Sequence, residues 1–201
     1  MPHPLVEQLR FTRAEFLRGL ADLSDQDARR RLEAMNCISW NVGHLAWQEQ
    51  RYFLTFAQGQ VVAPAIQQQF AYGAPASTPA LAEMLAAWQQ VTQAADAWLD
   101  QVTTEVLLSE YTTPNREWST SYGNLMQRVI YHYWYHNGEN LAIRQALGQG
   151  GQLGVRRIAA DDPEDGGGRL GDVGAHSGMF PCFFGGSCWR LVRSRRSVRM
   201  T

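Results

Sequence analysis

Lysine is absent from this 201-residue chain: its 18 basic residues are all Arg, set against 19 acidic ones for a formal net charge of −1. That balance excludes a broad positive field for nucleic acid, and the all-Arg usage is that of a GC-rich coding bias. Cysteine is scarce. Cys37 stands alone in the body, and Cys182 and Cys188 lie near the C-terminus without metal-ligand spacing, so no disulfide framework is expected and a reducing compartment fits. Long apolar runs are missing as well. No stretch approaches the roughly 18 consecutive apolar residues of a membrane span, and the charged opening MPHPLVEQLRFTRAEF lacks a run of signal-peptide length. The chain therefore reads as cytoplasmic, long enough to bury a core without disulfide staples.

What the sequence does have, between Pro4 and Leu147, is long stretches of helix formers broken by short loops of Gly, Pro, Ser and Thr. A first helix is expected from about Pro4 to Leu23, with Leu5, Leu9, Phe16 and Leu20 at helical spacing and Ser24 capping a short turn that begins SDQD. Ser39 is a candidate N-cap for a second helix, WNVGHLAWQEQRYFLTFAQG, which Gly59 would close. Thr78 and Pro79 would open a third, PALAEMLAAWQQVTQAADAWLDQV. Residues 108–119 read as loop or hairpin, and a Ser between 119 and 121 caps a fourth helix ending at Leu147-Gly148. Four amphipathic helices bury their stripes most simply against one another, so an all-α four-helix bundle is expected over residues 1–150. Residues 151–201 form a Gly-rich irregular tail carrying eight Arg residues and no helical period. Its composition is that of a disordered segment, and its Arg cluster, from Arg190 to Arg199, is the one place where nucleic acid or acidic lipid could be touched.

The chemistry concentrates in YHYWYH, residues 131–136. His132 and His136 are four apart, so on a helix both point to one place. His44, on the stripe Trp40, His44, Trp47, Leu54, is the natural third ligand. Three hydrogen-bonded core histidines are the competing reading, but burying three imidazoles without a shared partner is costly. Familiar metal patterns fail on residue grounds: a zincin requires HExxH and position 133 is Tyr, and a di-iron bundle requires Glu three residues before each His, where Asn41, Val129 and Tyr133 stand. A mononuclear three-imidazole site with open positions is left, suited to Zn²⁺, Ni²⁺ or Fe²⁺. Glu139 lies on the same face as the pair, where it could orient a ligand, act as a base, bind the metal, or pair with Arg144. Gln48 and Arg51 follow His44 by four and seven residues, placed either to hold an anionic small-molecule substrate or, for Arg51, to form a salt bridge at the bundle edge. Tyr131, Tyr133, Trp134 and Tyr135 are expected as core and helix-contact residues.

The segments ISWNVGHLAWQEQRYF and VIYHYWYHNGENLAIRQALG resemble the second and fourth helices of the DinB-like superfamily of metal-binding four-helix bundles. The resemblance spans roughly residues 5–150, and HxxxHxGExxAIRQxLG is its most specific part. It implies a divalent metal on His44, His132 and His136, up-down-down-up topology and frequent homodimers. It also implies thiol-dependent chemistry: transfer or isomerisation with a low-molecular-weight thiol such as bacillithiol or mycothiol, or a related hydrolysis. A non-catalytic, metal-stabilised stress-response or dimerisation module is the alternative. Family members often continue after LG to Phe-Val-Gly, where Val155-Arg156-Arg157 stands here. Codons such as GTT CGT CGG read one nucleotide later give Phe-Val-Gly, so residues from about 153 onward are expected to be a frameshifted reading.

Overall fold

Pro4 fixes the backbone of the first helical turn without wasting a hydrogen bond, and the His3 side chain accepts from Leu5 N. From there α1 (Pro4–Gly19) buries Val6, Leu9 and Phe16, with Thr12 and Arg13 between them. The computed structural model that shows this describes residues 1–113 and 118–149; the tail and its frameshifted reading lie outside the described residues. Helix α1 stops at Gly19 instead of Leu23. Asp22 turns the chain with φ 57°, and Leu20 and Leu23 continue the apolar stripe from the turn itself, which is why the periodicity reads on.

Ser24 caps α2 (Asp25–Ala28) through Asp27 N. Two expected starts shift. Helix α3 (Ile38–Glu49) begins after Cys37, which contributes no side-chain cap, while Ser39 is buried inside the first turn. The third long helix, separated from α3 by α4 (Pro64–Gln69), is α5 (Leu81–Leu99); it begins after Ala80 and not at Thr78-Pro79. Its first N–H is capped from outside by Asp25 Oδ1, 2.8 Å from Leu81 N. A cap supplied by another element leaves no local signature. The other helices follow expectation more closely. Ser121 caps α7 (Tyr122–Ala146) through Asn124 N, and Gly148 at φ 84° follows its end. Between α5 and α7 lie α6 (Thr104–Leu108) and a hairpin of β1 (Glu110–Thr112) and β2 (Ser119–Ser121), which settles the 108–119 region as hairpin.

Every residue of α3 is buried, as suits a helix surrounded by others. Beyond Glu49 it continues as a π-helical segment, Gln50–Phe56. The Gln50 side chain grips the returning strand there, accepting from Val62 N and Ala63 N and donating to Ala63 O. Gly59, at φ 69°, then closes the segment as expected, with Gly59 N on Thr55 O and Gln60 N on Leu54 O.

Contacts fix the topology. Phe11 meets Trp134 and Gly19 O meets Arg144, so α1 and α7 are parallel. Asn41 meets Asn140 and Glu49 meets Tyr133, so α3 runs against α7. Phe53 stacks on Trp98, and a Cβ on Gly43 would lie 2.8 Å from Met84 Sδ, so α5 runs alongside α3. The bundle is up-down-down-up, and the parallel α3–α5 pair requires the long crossover, residues 57–80, that contains α4. No helix among the described residues is long and apolar enough to cross a membrane.

One buried polar network joins all four long helices. Arg13 of α1 donates from Nε to Glu49 Oε1 of α3 at 2.9 Å and pairs through Nη2 with Glu49 Oε2; its Nη1 reaches Asp96 of α5 at 2.7 Å. Tyr133 of α7 donates to Glu49 Oε1 at 2.6 Å and accepts from Trp88 Nε1 of α5 at 2.5 Å. Burial and then the Glu49 carboxylate push the Tyr133 phenol well above its usual range, so it stays a neutral donor. Removing one partner of such a pair strands the other charge. Glu49→Ala should therefore cost about 3–5 kcal/mol of stability, read as a lowered midpoint in urea denaturation.

Candidate metal centre

Tyr133, Trp134 and Tyr135 are successive on a helix and turned about 100° from one another, and Tyr131 is two residues earlier, so the four cannot all face inward. Tyr133 takes the core, fully buried against Phe16, while Tyr131, Trp134 and Tyr135 are exposed by 65%, 44% and 68%. That corrects their expected core role and gives the flanking histidines a distinct face. His132 and His136 point toward α3, where they meet His44.

His44 lies between two indoles, stacked on Trp40 at 4.8 Å and on Trp47 at 5.2 Å. Its Nδ1 is 2.6 Å from the Phe70 carbonyl, an acceptor only, so the proton sits on Nδ1 and Nε2 keeps its lone pair. His136 Nδ1 is 2.7 Å from Glu139 Oε2, which fixes the same tautomer. His132 Nε2 lies 3.0 Å from His136 Nε2, and one ligand nitrogen from each of the three rings falls within 4.8 Å of the others. Imidazoles bound at about 2.0–2.1 Å on a tetrahedral ion have nitrogens roughly 3.3 Å apart, close to the 3.0 Å between His132 and His136. Burial foremost, then the neighbouring imidazoles, push His132 down to about 3; burial also lowers His44. Both rings are thus neutral at pH 7, the state that ligates metals. Three converging nitrogens, two with lone pairs fixed by outer hydrogen bonds, fit a divalent ion. His132 Nδ1 is buried without a partner among the described residues.

Glu139 serves His136. The same Oε2 accepts from Asn41 Nδ2 at 3.0 Å, and that amide also donates to Asn140 Oδ1 at 2.9 Å. Such a carboxylate–histidine arrangement orients the ring and raises its basicity. The expected pair with Arg144 does not form. Arg144, buried, donates to the carbonyls of Gly19 and Ala21 and to Gln149, tying the end of α7 to the end of α1.

Asn41, Asn140 and the Phe70 carbonyl were not anticipated. The two asparagines had a signal: each stands one turn from a ligand, on the ligand's own stripe. The carbonyl had none, because it arrives from the crossover. Gln48 is buried with Oε1 unpartnered. Arg51 forms no salt bridge among the described residues, against the bundle-edge reading; its guanidinium carbon sits 5.4 Å from the Trp47 ring centre and 5.1 Å from that of Phe56. His3 caps α1 away from the centre, and His176 lies outside the described residues.

Unfolded, an imidazole takes a proton near pH 6.5; folded and metal-free, His132 does so only near pH 3. Below about pH 6.5 the unfolded chain binds more protons, so the apoprotein should lose stability as pH falls, with a lower urea midpoint at about pH 5 than at about pH 7.5. His132→Leu should flatten that dependence. Glu139→Gln should keep the fold and weaken metal binding about 10- to 100-fold in chelator competition.

No curated protein matches this chain. The family model of the DinB superfamily matches residues 8–139, well over half of the sequence, and that span takes in His44, His132, His136 and Glu139. The match, the bundle and the three-histidine cluster agree: the chain belongs to the DinB superfamily.

Proposed function

We propose that the protein is a metal-dependent enzyme acting on a small molecule with a low-molecular-weight thiol of the bacillithiol or mycothiol type as cosubstrate, an S-transferase or a related hydrolase. The observation that carries this reading is the cluster itself: three histidines converge, and no fourth His, Cys, Asp or Glu among the described residues joins them. That composition leaves positions for a substrate atom. Zn²⁺, Ni²⁺ and Fe²⁺ all suit the donor set. A divalent ion held there supplies Lewis acidity that lowers the pKa of a thiol or water at an open position.

The chain's own residues do the rest. Phe70 O and Glu139 Oε2 keep the Nδ1 protons of His44 and His136 in place. Trp40 and Trp47 cover the two faces of His44 and keep water from them. The position that holds a general base in zincins is Tyr133, committed to the buried network. In this reading Glu139 is the catalytic base: Oε2 is engaged with His136 and Asn41, so Oε1 takes the substrate's proton.

A second reading has support of its own: the ligands tie α3 to α7, as a purely structural ion would, in a metal-stabilised stress-response or dimerisation module. Exposed Phe11 packs beside exposed Trp134 on a face shared by α1 and α7, which suits a homodimer. Two measurements decide. Purified protein should contain stoichiometric metal that His132→Ala loses; metal-free wild type, or full retention in the variant, would sink both readings. The visible spectrum of cobalt-substituted protein should then change as bacillithiol, mycothiol or glutathione is added. An unchanged spectrum leaves the structural role.

A further inference from the structure

Buried side-chain atoms without hydrogen-bond partners are not scattered. Among the described residues they are Trp40 Nε1, Asn41 Oδ1, Gln48 Oε1, Arg51 Nε, His132 Nδ1 and Asn140 Nδ2. All six belong to α3 with its π-helical extension or to α7, the two elements that supply the histidines. Buried polar atoms of native proteins are nearly always satisfied, so such a concentration marks a place where a polar ligand belongs.

Within it, one side chain is cationic. Arg51 belongs to a stacked column that begins at the metal centre: Trp40 on His44, His44 on Trp47 at 5.2 Å, the Arg51 guanidinium over Trp47 and Phe56, and Phe56 on Tyr111 at 4.0 Å. The guanidinium carbon lies over both rings, within reach of a cation–π attraction. An oxyanion binds guanidinium in its plane, through paired N–H donors, and Arg51 Nε is without an acceptor among the described residues. A half-buried cation with no carboxylate beside it among the described residues is electrostatically incomplete. Gln48, one turn from both His44 and Arg51, adds an amide whose NH2 group can donate to an anion.

We infer that Arg51 and Gln48 form the anion end of the substrate site, and that the molecule bound at the three-histidine centre carries a carboxylate. This rests on the metal-centre reading of the previous subsection. A carboxylate is favoured over a phosphate because one guanidinium balances one negative charge. Trp47, touching His44 and Arg51 alike, sets the spacing. The carboxylate stands about one indole away from His44, which calls for a short, few-carbon link to the metal-binding atom.

The test uses cobalt-substituted full-length protein and two small thiols, 3-mercaptopropionate and neutral 2-mercaptoethanol, followed by the visible spectrum. Wild type should bind the carboxylate thiol at least about tenfold more tightly, Arg51→Gln should erase the preference, and Arg51→Lys should keep part of it. Circular dichroism and cobalt content establish that the variants are folded and loaded. Equal affinity for the two thiols, or a preference that survives Arg51→Gln, overturns the inference while leaving thiol activation intact. If neither thiol changes the spectrum, thiol activation falls and calorimetry with glutarate and inorganic phosphate decides. Glutarate binding that Arg51→Gln abolishes upholds the carboxylate site; no glutarate binding, or tighter binding of phosphate, overturns it.

Discussion

Glu49 is the residue around which the helices are set. Its carboxylate takes two hydrogen bonds from Arg13 and a third from Tyr133, and those partners extend the network to Asp96 and Trp88. A buried ion pair adds little net stability, since desolvation offsets most of its attraction. Its effect is on registry. A slip of one residue turns a helix by about 100°, which would leave Glu49, Arg13 or Tyr133 facing apolar side chains. His44 is five residues from Glu49 and His132 is adjacent to Tyr133, so the rotation that satisfies the network is also the one that brings the imidazoles together.

Around the histidines the same economy of roles recurs. One carboxylate, Glu139, fixes a ligand; one amide, Asn41, fixes that carboxylate and a second amide. Indoles cover His44, and burial keeps His44 and His132 neutral, so these two rings are prepared for a cation without carrying a charge of their own. Arg51 extends this arrangement outward by stacking instead of by hydrogen bonds.

The sequence made the ligands legible because helical periodicity is enough to place them: four residues between His132 and His136, and an inward stripe through His44. The bundle was legible for the same reason. What stayed hidden depends on chain segments remote in sequence. Asp25 caps α5 and Arg144 stops α1 from other elements, so the local capping signals at Thr78 and the apolar continuation to Leu23 misled. Ser39 was a plausible cap by type, yet burial of the whole of α3 turned it into a core residue. Arg13 had a faint signal, a charge on the stripe of Leu9, Phe16 and Leu20, but its partner could not be named without the crossing of helices. Tyr135 and Trp134 read as core from composition, whereas one helix face can bury only one of the four rings at that level.

The Phe70 carbonyl joins the centre to the crossover between the two parallel helices. Parallel neighbours cannot be linked by a tight turn, so residues 57–80 make a long excursion with few regular hydrogen bonds of their own. Because that carbonyl holds the His44 proton, the tautomer and orientation of the ring depend on where the crossover lies. A segment of connecting chain thereby helps to set a site to which it contributes no ligand.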